Sequence, residues 1–185
     1  KCKIIECQFE GMLLNISQIE VWVKLLGDFN AYNLLAVYSI ANIFGYKNHQ
    51  ILTCLSLLSS ASGRFQYLRS KDDIIGIVDY AHTEDALRNI ISTINKIRTN
   101  NEQLITVFGC GGNRDKLKRP LMTSVVCHLS DQIIVTNDNP RNEDPHSIIK
   151  DMLKDLDPFL KKKVLVINDR RQAIKTACTI ANKKD

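Results

Sequence analysis

A chain of 185 residues, 44% hydrophobic and 24% charged, can bury one good core and share part of it with a second, smaller unit. It has no apolar run of about eighteen residues, no basic-then-apolar leader and no lipidation pattern, so export and membrane insertion are unsupported and the cytoplasm is expected. The net charge of +5 is uneven: residues 1–61 hold four lysines against four acids, whereas residues 62–185 hold 21 basic against 16 acidic side chains.

Residues 3–8, 12–16 and 19–25 read as three short strands of a meander, broken at Gly11 and at Asn15 to Gln18. Apolar residues then recur at helical spacing from Tyr32 to Phe44, stop at Gly45, and resume from Ile51 to Leu58 as a second helix. The small-residue stretch Ser59 to Gly63 places a domain junction near residue 62, so the expected domains are 1–62 and 63–185. Beyond it strand and helix alternate. Ile74 to Val78 precedes a helix capped by Thr83, whose inward face is Ala86, Leu87, Ile90, Ile91, Ile94 and Ile97. Leu104 to Phe108 leads through a glycine-rich loop into a helix entered at Pro120. Ile133 to Thr136 leads to a helix starting at Asp144-Pro145, and Val164 to Ile167 to a last helix through Ala173, Ile174, Ala177 and Cys178. The expected fold is α/β, a Rossmann-like, mostly parallel sheet flanked by helices.

Ligands of such sheets bind outside the carboxyl ends of the strands. All four expected ends carry polar chemistry: Asp79 to His82, Gly109 to Arg114, Asp138 to Arg141, and Asn168 to Arg171. Gly109-Cys110-Gly111-Gly112 suits close approach to phosphate, although its spacing is not GxGxxG and no GxxxxGKS/T occurs; a sharp strand-to-helix turn accounts for it equally. Asp138-Asn139-Pro140-Arg141 could hold a zwitterion, with the arginine fork on a carboxylate, or could be a turn with Asp138 as a local cap. Asp169, Arg170 and Arg171 read as a helix cap and a solvated start. The basic patch Arg114, Lys116, Lys118 and Arg119 has few aromatic neighbours, so it suits an anionic small molecule rather than nucleic acid, and a solvated helix start also fits. The six cysteines are scattered, without CxxC or zinc-type histidine spacing, and read as reduced thiols; no metal ligands are assigned.

Read together, five ordered segments resemble the Mur ligase family, and within it the MurE branch that adds the third residue of the peptidoglycan peptide. They are Gly27 to Ala36, Ser62 to Phe65, Val78 to Thr83, Phe108 to Asp115 with Lys118 to Met122, and Thr136 to Pro145. The resemblance spans essentially the whole chain. It implies that residues 1–62 end a central ATP-binding domain and that 63–185 form the amino-acid-binding domain. It implies ATP contacts at Asn30, Asn33, Arg64, Asp79, Tyr80 and His82, and a grip on meso-diaminopimelate by Arg114, Asp138, Asn139 and Arg141. The implied reaction uses ATP and Mg2+ to join meso-diaminopimelate to UDP-N-acetylmuramoyl-L-alanyl-D-glutamate through an acyl phosphate.

By the same resemblance a UDP-binding domain, a GKT loop and the metal-binding acids are expected upstream of Lys1, and a GKGHE segment beyond Asp185. The chain is therefore expected to be a fragment, inactive by itself, whose partner is the remainder of the ligase. Glu84 stands where the family usually has proline. The alternative is a non-catalytic remnant or binding module of the same fold. A dinucleotide-binding oxidoreductase is disfavoured because GxGxxG and its downstream ribose acid are both missing.

Overall fold

Apolar residues alternating on either side of polar ones make the first antiparallel sheet. In a computed structural model describing residues 1–99, 101–183 and 185, the chain divides into two units: Lys1–Leu68 with Gly76–Tyr80, and Arg69–Ile75 with Ala81–Asp185. In the first unit β1 (Cys2–Gln8), β2 (Gly11–Ile16) and β3 (Ile19–Val23) form the expected meander in that order. Met12, Leu14 and Ile16 are wholly buried along the central strand, with Met12 opposite Val23 and Leu14 opposite Val21. The helices α1 (Asp28–Ile43) and α2 (Asn48–Leu57) follow, starting four and three residues earlier than Tyr32 and Ile51. Helix α1 ends as Gly45 predicts. That glycine adopts φ 85°, and Tyr46 N–H reaches Ala41 O at 3.2 Å while Gly45 N–H reaches Asn42 O at 3.0 Å, the two bonds of a Schellman ending. Only Ala31, Leu34 and Tyr38 of α1 are buried, leaving Tyr32, Val37, Ile40 and Ile43 exposed.

The expectation for Ile74 to Val78 needs correction. The run is a strand, β5 (Ile75–Val78), but its neighbour is β4 (Gln66–Arg69), which periodicity over four residues does not reveal. Ser70 N–H donates to Ile74 O at 2.9 Å, and Ser70 Oγ accepts Ile74 N–H at 3.0 Å, closing a link too short for a parallel crossover. β5 therefore pairs in a separate two-stranded sheet, and among the described residues the parallel sheet has three strands rather than four.

That sheet, in the second unit, orders β6 (Ile105–Phe108), β7 (Gln132–Val135) and β8 (Val164–Val166), all parallel. Ile133, Ile134 and Val135 are successive and all buried, so β7 is covered on both faces. On one face α4 (Lys118–Leu129) lies on β7 and packs against α3 (Glu84–Ile97) and α5 (Pro145–Met152); α7 (Arg170–Ile180) packs on β6 and β7. The short α6 (Pro158–Lys161) precedes β8. Three helix starts carry side-chain caps, those at Thr83 and Asp169 as expected. Thr83 accepts from Ala86 N–H, Asp144 from Ser147 N–H and Asp169 from Gln172 N–H. Strand β8 is an edge, with Leu165 and Val166 partly exposed. Among the described residues no helix is long and apolar enough to cross a membrane.

Candidate functional site

The carboxyl ends of β6 and β7 are adjacent, and the loops that leave them lie directly on each other. A methyl group added at Gly109 would stand 2.3 Å from Thr136 O, and one at Gly112 would stand 1.8 Å from Pro140 O. Gly112 N–H donates to Asn139 O at 2.8 Å, and Arg141 Nη1 donates to Gly112 O at 2.7 Å. The glycines are therefore accounted for by backbone docking onto the Asp138 to Arg141 loop. A side chain at either position would force the loops apart.

This docking brings the expected amino-acid-binding residues together. A methyl at Gly111 would stand 2.9 Å from Arg141 Nη1 and 3.9 Å from Arg114 Cγ, so both arginines flank the same glycine from different loops. Arg114, Asp138, Asn139 and Arg141 are all exposed, and among the described residues the Arg114 guanidinium has no hydrogen-bond or ion-pair partner. Asp138 Oδ1 lies 3.9 Å from Arg170 Nη1. Cys110, beneath the loop, is 6% exposed, and burial pushes its thiol up to about 11.

The basic patch is not the open anion site it resembles in sequence. Arg119 is 2% exposed and already committed. Its Nη2 and Nη1 meet Glu143 Oε1 and Oε2 at 2.9 and 3.0 Å, Nη1 meets Asp151 Oδ2 at 2.8 Å, and Nη2 also donates to Gly111 O at 3.3 Å. Glu143 accepts Asn113 N–H and faces Lys116 Nζ at 3.6 Å. The Arg119 fork, helped by that N–H, holds the Glu143 carboxyl at about 2, far below its ordinary value. Arg119 is thus neutralised internally, while Lys116 pairs with Glu143 at the surface and Arg114, Lys118 and Arg141 stay exposed.

In the first unit the residues expected near ATP fall into two connected groups. Asn30 Nδ2 donates to Leu26 O at 2.7 Å, and Asn33 Nδ2 to Asn30 Oδ1 at 3.3 Å, at the start of α1. The Arg64 guanidinium lies 4.9 Å from the centroid of the Tyr80 ring, within reach of a cation–π contact. Asp79 Oδ2 accepts the N–H of Phe65, a buried residue held at φ 43°, at 2.7 Å. Phe65 in turn meets Phe29, ring centroids 6.5 Å apart, which links the two groups. Asp79 therefore has a structural task, holding the Phe65 turn. His82 belongs to the second unit, immediately before the Thr83 cap.

The profile of the family described as "Mur ligase, glutamate ligase domain" matches residues 63–185. The chain belongs to the Mur ligase family. Over all 185 residues it is 46% identical to the UDP-N-acetylmuramoyl-L-alanyl-D-glutamate--2,6-diaminopimelate ligase of Cytophaga hutchinsonii, and 50% identical to the enzyme of that name from Phocaeicola vulgatus. It spans 38% of the length of each. Among solved structures, a ligase of the same name superposes at TM-score 0.66 and 38% identity, covering 97% of this chain and 37% of that one. A folylpolyglutamate synthase from Thermotoga maritima reaches TM-score 0.74 at 20% identity over 95% of this chain and 41% of that one, a likeness of fold.

Two residues of this Mur ligase chain that carry the loop geometry, Glu143 and Asp151, had no signal in the sequence reading. Glu143 sits two residues beyond Arg141 in an acidic-proline run that reads as a helix start. Its partner Arg119 is 24 residues upstream. Only the pairing of β6 with β7 brings them together.

Proposed function

We propose that this chain is the amino-acid-binding part, with the end of the nucleotide-binding domain, of an ATP-dependent amide ligase acting in peptidoglycan synthesis. The ligase joins meso-diaminopimelate to UDP-N-acetylmuramoyl-L-alanyl-D-glutamate in the cytoplasm. One observation carries the reading: the Arg114 and Arg141 side chains flank Gly111, the first unpartnered among the described residues and the second tethered through Nη1 to Gly112 O. A planar guanidinium matches a carboxylate with two parallel donors, and diaminopimelate has a carboxylate at each end where lysine has one. Asp138 and Asn139, exposed on the same turn, supply acceptors for an ammonium group.

In the reaction the γ-phosphoryl group of ATP passes to the carboxylate of the nucleotide substrate, giving an acyl phosphate and ADP. The amine of diaminopimelate attacks the acyl carbon, the amide bond forms, and phosphate leaves as the amine loses a proton. Residues of this chain contribute binding and orientation, holding the amino acid at Arg114, Asp138, Asn139 and Arg141. Asn30, Asn33, Arg64, Asp79, Tyr80 and His82 are assigned to ATP. Mg2+ supplies charge neutralisation in such transfers. Among the described residues no cluster of His, Cys, Asp and Glu is placed to hold a metal ion, so Mg2+ is given no residue here. The remainder of the ligase is the expected partner, and the exposed Tyr32, Ile40 and Ile43 of α1 fit a surface that other segments cover.

The test is ADP release by the gene product containing this segment, given ATP, the nucleotide dipeptide and either meso-diaminopimelate or L-lysine. Release and a product mass that depend on diaminopimelate are expected. Preference for lysine, or no amino-acid-dependent release, refutes the reading.

A further inference from the structure

Left-handed backbone occurs at both arginine-bearing loops. Asn113, at φ 54°, directly precedes Arg114, and Arg141 itself has φ 51°. Such conformations persist in non-glycine residues when the surroundings over-determine them. Here the restraints run between the loops: Glu143 accepts Asn113 N–H, and Asn113 Oδ1 accepts Asn142 N–H at 3.3 Å. Glu143 is then fixed by the buried Arg119 fork, and Arg119 by Asp151 of α5 and by Gly111 O. The network therefore ties together the loop that carries Arg114, the loop that carries Arg141, and two helices.

A buried ion pair of this kind is weak evidence for stability, because apolar side chains of equal volume often do as well. What apolar side chains cannot do is hold a backbone N–H in a left-handed turn. We infer that Glu143 is the positioning residue of the amino-acid site. By gripping Arg119 and the Asn113 N–H it fixes the spacing of the Arg114 and Arg141 guanidiniums, and that spacing selects an amino acid with a carboxylate at each end. The inference rests on the reading of those two arginines as carboxylate-binding. Glu143 touches no substrate in this scheme; it acts through Asn113 and Arg119.

The experiment compares Glu143→Gln and Glu143→Ala with the unsubstituted gene product containing this segment. Displacing a binding group by about 1 Å can change rates by up to two orders of magnitude, so KM for meso-diaminopimelate should rise on the order of tenfold. KM for ATP and for the nucleotide dipeptide should stay within about twofold, and the preference for diaminopimelate over lysine should fall. Amide exchange at Asn113 should accelerate most in Glu143→Ala, which removes the acceptor, and less in Glu143→Gln, which reads the restraint without any substrate. Glu143→Gln keeps the side chain's size and one acceptor, so it serves if Glu143→Ala fails to fold. A folded variant whose KM for diaminopimelate stays within twofold, or whose three KM values rise together, overturns the inference. An unsubstituted enzyme that ignores diaminopimelate overturns the functional reading instead, and the Asn113 exchange still decides whether the restraint exists.

Discussion

Replacing Gly112 with alanine should unfold the second unit far more readily than replacing Gly111, although the two are neighbours. The alanine methyl at residue 112 would sit 1.8 Å from Pro140 O, a backbone atom, so the 136–141 loop must retreat. That retreat breaks Gly112 N–H to Asn139 O, at 2.8 Å, and Arg141 Nη1 to Gly112 O, at 2.7 Å. Overpacking costs about 1–3 kcal/mol. Each lost hydrogen bond adds about 0.5–1.5 kcal/mol, and more where one partner is charged. A loss of roughly 3–5 kcal/mol is therefore expected, a large part of a typical domain's stability. At Gly111 the one contact of the methyl shorter than ordinary van der Waals distance is with Arg141 Nη1, the end of a flexible side chain, at 2.9 Å, so stability should fall by less than about 1.5 kcal/mol while Arg141 is pushed aside. The assay is urea unfolding followed by far-ultraviolet circular dichroism, with diaminopimelate KM measured on the gene product containing this segment. Equal midpoints for Gly112→Ala and the unsubstituted chain would refute the account of the glycines as docking residues. An unchanged KM for Gly111→Ala would count against Arg141 as a ligand.

Acid should weaken the loop pair over a defined window. The Glu143 carboxyl is depressed from 4.5 to about 2, so its contribution is complete above the ordinary value and is lost as pH falls toward 2. Stability measured from pH 6 down to about 2 should therefore fall more steeply for the unsubstituted chain than for Glu143→Gln, and parallel curves would contradict this. The thiols should divide by burial: at pH 8 iodoacetamide should modify exposed Cys54 and Cys178, while Cys110 and Cys127, both buried and both with raised thiol values, react only after unfolding. Peptide mass spectrometry reads the pattern, and early labelling of Cys110 would contradict the burial assigned to it. Arg141→Lys removes the planar fork and the bond to Gly112 O, so diaminopimelate KM should rise on the order of tenfold to a hundredfold with little change for ATP. An unchanged diaminopimelate KM would remove Arg141 from the site.

The sequence by itself determined most of the elements, β4 and α6 excepted, because their signals are local. Alternation along Met12, Leu14 and Ile16 is enough for a half-buried strand, and Thr83, Asp144 and Asp169 cap helices three residues or fewer away. The family and the polar turns at the strand ends were legible for the same reason, being short contiguous motifs. Tertiary structure alone decided three things. It paired β5 with β4, since a four-residue strand has too little periodicity to announce itself. It resolved the glycine-rich loop in favour of backbone docking, because Pro140 O and Thr136 O approach it from another strand end. And it turned one member of an exposed-looking basic patch, Arg119, inward, onto Glu143 and Asp151, which lie 24 and 32 residues away in the chain. Those outcomes depend on parallel strands placing distant loops side by side, and no local pattern encodes which carboxylate will meet which guanidinium.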